Sequence, residues 1–255
     1  MQKRQLQLAL AAGTAKATRP IGRLAVLSIL AGAFIALGGV LSLILGSGFP
    51  AATAANPSLG RLLSGLAFPV GLFLIVMTGA DLFTGNNALL MPAALRRNIS
   101  ATAVLANWFM VWIGNFIGAL LLTYFLVYQS GLVDSEPYRS AIVNIAQTKT
   151  ALSPWVIFLR GIGANWCVCL AVWFGLTADN IAHKALACWI PVAVFVILGF
   201  EHCIANMFYI PCGMMCGAAV TVADLAYNLL WSTLGNVVGG ALLVGTLFHL
   251  LYKEK

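Results

Sequence analysis

The chain has 255 residues, 61% of them hydrophobic and only 8% charged, with a net charge of +7 and a mean hydropathy of +0.95. A soluble domain carries about a quarter charged residues, so this composition excludes a water-soluble globule and describes an integral membrane protein. The basic excess is then a property of loops on one side of a bilayer, and nucleic-acid binding is a poor reading of it.

At about 20 apolar residues per helical span, six spans are expected in chain order: roughly 24–46, 62–95, 101–128, 154–177, 184–217 and 220–251. They form one transmembrane domain over residues 1–255. A signal-peptide reading of the first span, prompted by "FPAATAAN" (49–56), competes with this. The run Leu24–Leu45 is longer than a 7–15-residue signal core, so retention is the expectation. The second and fifth spans are overlong, and polar residues interrupt each.

If the N-terminus is cytoplasmic, that side holds Lys3, Arg4, Lys16, Arg19, Arg23, Arg96, Arg97, Lys184, Lys253 and Lys255, against Arg61, Arg139 and Lys149 opposite. Short cytoplasmic loops retain Lys and Arg. Ten against three places both termini inside, in a multi-pass protein of the cytoplasmic membrane. The six cysteines lie in or beside apolar runs with no Cys-x-x-Cys pair, which fits buried free thiols.

The two halves carry a weak repeat. "GADLFTGN" (79–86) and "GFEHCIAN" (199–206) share a glycine, an acid two residues on and an asparagine five after the acid. "NWFMVWIGNFIGALL" (107–121) and "NLLWSTLGNVVGGALL" (228–243) share N-x6-G-N-x2-G. The offsets are 120 and 121 residues. Three spans per half is odd, so the second copy, about 154–251, must cross the bilayer in the opposite sense to the first, about 24–128. An all-α inverted 3+3 repeat follows, with helix breaks in the second and fifth spans near the midplane. Pro69, Pro92, Pro191 and Pro211 flank the two segments.

Backbone groups freed at a break must be satisfied by protein or by a water-lined cavity. Asp81 and Glu201 are suited to accept the freed N–H groups, with Asn86 and Asn206 adding donors and acceptors. His202 aligns with Leu82, an asymmetry that points beyond scaffolding. The half-helices that restart after each break aim two positive N-termini at the midplane, which favours an anion there. Thr84 stands where it can cap the first of them.

"GADLFTGN", "NWCVCLAVW" (165–173) and above all "PVAVFVILGFEHCIANMFYIP" (191–211) resemble the formate/nitrite transporter family. The resemblance implies homopentameric channels of aquaporin-like protomers that pass small monovalent anions, without enzymatic activity, cofactor or metal. It further implies that His202 and Thr84 form the central site with Asn165 beside the histidine. Leu72, Leu82, Phe83, Val168, Phe68 and Phe195 would make two apolar constrictions around that site. Lys149 of "QTK" and Lys16 would supply charge at the two mouths. The chain has "FTGNN" where one formate-channel pattern has Ser-Thr after the threonine, which leaves the anion open; the family resemblance puts formate first, nitrite and hydrosulfide next and lactate last.

An anion crossing apolar rings loses hydration at high cost. Passage as the neutral acid, with a proton from water or His202, is the expected route. Two other classes are weaker. An intramembrane protease needs a nucleophile with its base, and neither G-x-S-x-G nor H-E-x-x-H occurs. A metal transporter built on Cys203, His202, Met207, Cys212 and Cys216 would set cations against helix N-termini.

Overall fold

The computed structural model describes residues 2–253, all in helices and their connections; Lys255, counted above among the cytoplasmic charges, lies outside them. Helix α1 (Gln2–Ala17) precedes the first long apolar helix, α2 (Ile21–Ser47). Short α3 (Pro50–Ala55) leads into α4 (Pro57–Ala67) and α5 (Val70–Thr78), which meet at Pro69 and together make one crossing-length segment. Helix α6 (Phe83–Leu95) restarts after a gap, and α7 (Ala101–Leu121) continues as a π-helix over Leu122–Tyr128.

The second half repeats the order with α8 (Tyr138–Thr150), α9 (Pro154–Gly175), α10 (Ile181–Leu198) and, after another gap, α11 (Cys203–Met215). It ends with α12 (Val222–Val237), a π-helical stretch over Val238–Thr246 and α13 (Leu247–Tyr252). Among the described residues, six segments are long and apolar enough to cross a membrane. The expected spans 62–95 and 184–217 each divide into a crossing-length segment and a 13-residue helix.

The gaps have a local cause. Gly79 and Gly199 both adopt φ 70°, a left-handed conformation that terminates a helix and that a side chain resists. The N–H groups of Gly79 and Ala80 fold back onto the Ile75 carbonyl, and that of Phe200 onto Phe195. Leu82 and His202 then take extended geometry, each as the N-cap of the next helix. Pro191, Pro92 and Pro211 lie inside α10, α6 and α11 without ending them.

Packing is close because small residues line the contacts. Helix α2 runs along α7, and α9 along α12. A Cβ on Gly118 would overlap the Ile29 carbonyl, and one on Gly239 the Ile162 carbonyl. These two glycines end the shared N-x6-G-N-x2-G pattern, so the sequence repeat records a shared close approach between helices.

Candidate functional site

The two gaps are held by asparagines from the third span of each half. Asn115 Oδ1 accepts the freed Phe83 N–H at 2.9 Å, while its Nδ2 donates to the carbonyls of Asp81 (2.9 Å) and Ser28 (2.7 Å). Asn236 does the same for Cys203 N–H (2.9 Å), Glu201 (3.0 Å) and Gly161 (2.7 Å). The Asp81 and Glu201 N–H groups donate to the carbonyls of Leu27 and Arg160. The expectation that the two carboxylates accept the freed N–H groups is therefore corrected. Amide side chains suit this task better, because one group offers an acceptor and two donors. The signal was already in the sequence: Asn115 and Asn236 are the second asparagines of the matched motif.

The carboxylates instead hold cations. Asp81 is fully buried and pairs with Lys16 Nζ at 2.7 Å and with Arg19, while Asn86 Nδ2 donates to it at 3.2 Å. Glu201 is buried and pairs with Lys149 Nζ at 2.9 Å, with Asn206 Nδ2 at 2.8 Å. Asn86 and Asn206 also donate to Asn107 and Asn228, whose own amides donate to the backbone carbonyls of Lys16 and Lys149. Lys16 and Lys149 each stand five residues before the first residue of the following span, Ile21 and Pro154. The correspondence between the halves thus extends to α1 and α8, where the sequence shows no recognisable match.

Lys16 and Lys149 are accordingly not free charges at the mouths. Their side chains are only 15% and 17% exposed. Burial pushes the Lys16 ammonium below the ordinary lysine range, and Asp81 beside it pulls it back up. Lys149 also sits 5.7 Å over the Tyr209 ring.

Two cavities approach the centre. One, of about 410 Å³, is lined by Phe68, Phe195, His202, Asn206, Tyr209 and Lys149. The other, of about 310 Å³, is lined by Leu72, Leu82, Gly85, Asn86, Val172 and Lys16. Phe68 and Phe195 meet edge to face at 5.5 Å, and Phe195 stacks on the His202 ring at 5.6 Å. His202 Nε2 lies 3.0 Å from Thr84 Oγ1, joining the two half-helices across 118 residues of sequence. Both side chains are almost completely buried.

Hydrogen bonding fixes the histidine's state in this geometry. Nδ1 accepts the Ala205 N–H at 3.1 Å, capping α11, so it carries no proton. Neutral imidazole then carries its proton on Nε2 and donates to Thr84 Oγ1. The threonine hydroxyl keeps its own hydrogen to offer onward. Thr84 itself does not cap α6: Leu82 holds that position without a side-chain bond, and Asn115 serves the first N–H instead.

Three other residues fall elsewhere than expected. Asn165 makes no hydrogen bond to His202 among the described residues; it donates to Asn87 Oδ1 at 3.0 Å and the Asn236 carbonyl at 2.6 Å. Cys169, one turn on, donates to the Thr84 carbonyl at 3.1 Å, so this face of α9 braces the threonine's backbone. Phe83 turns from the two cavities to lie edge-on to Trp108, in an apolar groove between α7 and α12. Val168 is buried in the core and lines neither cavity.

The formate/nitrite transporter family model matches residues 3–250. The chain is 37% identical over 255 residues to the probable formate transporter of Methanothermobacter thermautotrophicus, covering 94% of this chain and 92% of that protein. A solved FNT family ion channel superposes with TM-score 0.85 at 29% identity, covering 98% of each chain. A pentameric formate channel with formate bound superposes with TM-score 0.79 at 30% identity, covering 91% of this chain and 97% of that one.

Proposed function

Because the chain belongs to the formate/nitrite transporter family, a membrane channel family and not an enzyme family, we propose that it carries formate between the two cavities as the neutral acid. The observation that supports this is the buried His202–Thr84 pair: His202 lines one cavity together with Phe68 and Phe195, and Leu72 and Leu82 line the other beside Gly85. Such a site presents hydroxyl and helix N-terminal donors to an oxygen of the substrate. The flanking Phe68, Phe195, Leu72 and Leu82 penalise a bare charge.

The proton comes from water. His202 presents a hydrogen bond through Thr84, but giving up its Nε2 proton would leave an imidazolate, while protonating Nδ1 would break the cap on α11. In this reading the halves insert in opposite senses, both termini are cytoplasmic in the cytoplasmic membrane, and five copies assemble, as they do in the pentameric formate channel that the chain resembles.

The test is uptake into proteoliposomes across pH 5–8, with formate, nitrite and hydrosulfide as separate arms. Formate uptake is expected to exceed that of empty vesicles and to rise steeply as pH falls, because the neutral fraction of a carboxylic acid grows about tenfold per pH unit above its pKa. Formate flux independent of pH would overturn passage as the acid. Carriage of nitrite or hydrosulfide without formate would move the substrate to the other named anions.

A further inference from the structure

Each cavity is lined by two basic residues, and in each only one is committed. Lys149 and Lys16 are tied to buried carboxylates at 2.9 and 2.7 Å, Lys16 sharing Asp81 with Arg19, so neither ammonium is free to turn toward an arriving anion. The second base is different. Arg61, on α4, lines the Lys149 cavity, and Lys184, on α10, lines the Lys16 cavity. Neither side chain has an ion-pair or hydrogen-bond partner among the described residues, which include every acid of the chain except Glu254.

We propose that Arg61 and Lys184 are the entry charges of the channel, each concentrating the substrate anion at one mouth before it meets the neutralised centre. The inference rests on the anion-channel reading above. A cavity with low-dielectric walls focuses the field of an unpaired charge, raising local counter-ion concentration and on-rate. Lys149 cannot turn to the anion without leaving Glu201 unpaired, and Lys16 is held at Asp81 beside Arg19. Arg61 is exposed and Lys184 half-buried, so both keep contact with solution. Both lie in the crossing-length segments that end at Gly79 and Gly199, Arg61 on α4 ahead of the bend at Pro69 and Lys184 in the first turn of α10. The division of labour is similar at both mouths: paired bases, Lys16 with Arg19 or Lys149 alone, hold the break, and one further base faces solution.

The experiment compares wild type, Arg61→Gln, Lys184→Gln and the double variant in proteoliposomes. Initial formate flux is measured near 10 mM ionic strength, where the Debye length is about 30 Å, and near 1 M, where it is about 3 Å. Each single variant is expected to lower flux about three-fold at low salt and the double variant more, with all four converging at high salt. Equal high-salt flux also shows that the variants are folded. Arg61→Lys with Lys184→Arg is expected to restore the low-salt rate. If the double variant keeps both the wild-type low-salt rate and its salt dependence, the inference fails while the function stands. If the variants lose flux equally at both salts, the residues are structural and the inference also fails. Wild-type vesicles that pass none of formate, nitrite or hydrosulfide would overturn the reading of function and this inference with it.

Discussion

The turn at Gly79–Leu82 and the turn at Gly199–His202 are built from matching parts. Each has a left-handed glycine, a buried acid, a lysine from the helix before the half's first span, and two asparagines from its third. They differ at two points. The first acid holds two cations and the second holds one; the first restart is capped by nothing from its own N-cap side chain and the second by His202. The shared parts are scaffold and the departures mark the chemistry, because the one polar N-cap is also the group that reaches Thr84.

The sharpest way to break the comparison is to remove the shared parts. Asn115→Leu and Asn236→Leu each strip a buried N–H of its acceptor and two carbonyls of a donor, at a cost of about 3–6 kcal/mol. Both variants should lose most folded protein in detergent, to a similar degree, as read by thermal unfolding and size-exclusion yield. A loss in one and not the other would show that the two turns are not held alike.

Next comes the unequal ion pairing. Lys149→Met leaves Glu201 buried with no cation and should cost about 3–5 kcal/mol. Lys16→Met leaves Asp81 with Arg19 and should cost clearly less. Adding Glu201→Gln to Lys149→Met should recover most of the lost melting temperature. Equal losses from the two lysine variants would contradict the two-cation arrangement.

The smallest effect on stability, and the most telling for function, lies at His202. His202→Leu copies the first half's residue onto the second; it should cost about 0.5–2 kcal/mol for the lost cap and remove the donor to Thr84. His202→Asn can both accept from Ala205 and donate onward. It should keep the melting temperature, and the pH profile of formate flux should keep its wild-type shape. A changed profile in the asparagine variant would return proton exchange to the histidine.

Much of this was legible beforehand, and for identifiable reasons. Long apolar runs declare spans, and the G-x-acid-x4-N segments align because both halves need the same turn. Partners were harder to read. The acids and asparagines stand together in sequence, which suggested that the carboxylates serve the nearby N–H groups; the actual acceptors, Asn115 and Asn236, lie 32 and 33 residues from the amides they serve. The resemblance alone put Lys16 and Lys149 at the mouths, and their pairing stayed hidden because a sequence shows a base without its partner: Asp81 is 65 positions from Lys16. Arg61 and Lys184 entered only as loop charges, since nothing in their neighbourhood separates a committed base from a free one.

The hydrogen bonds also divide by where they close. The first turn's network runs from Lys16 to Asn115 and the second's from Lys149 to Asn236, each complete within its own half of the chain. Bonds that join the halves, such as Thr84–His202, Asn87–Asn165 and Trp112–Thr233, span 78 to 121 residues. During synthesis, therefore, the first half can satisfy the groups of its own broken turn before the second has left the ribosome, while Thr84 and Asn87 wait for their partners. The central pair can form only when the completed halves dock, so the pathway appears at the last step of folding and not before.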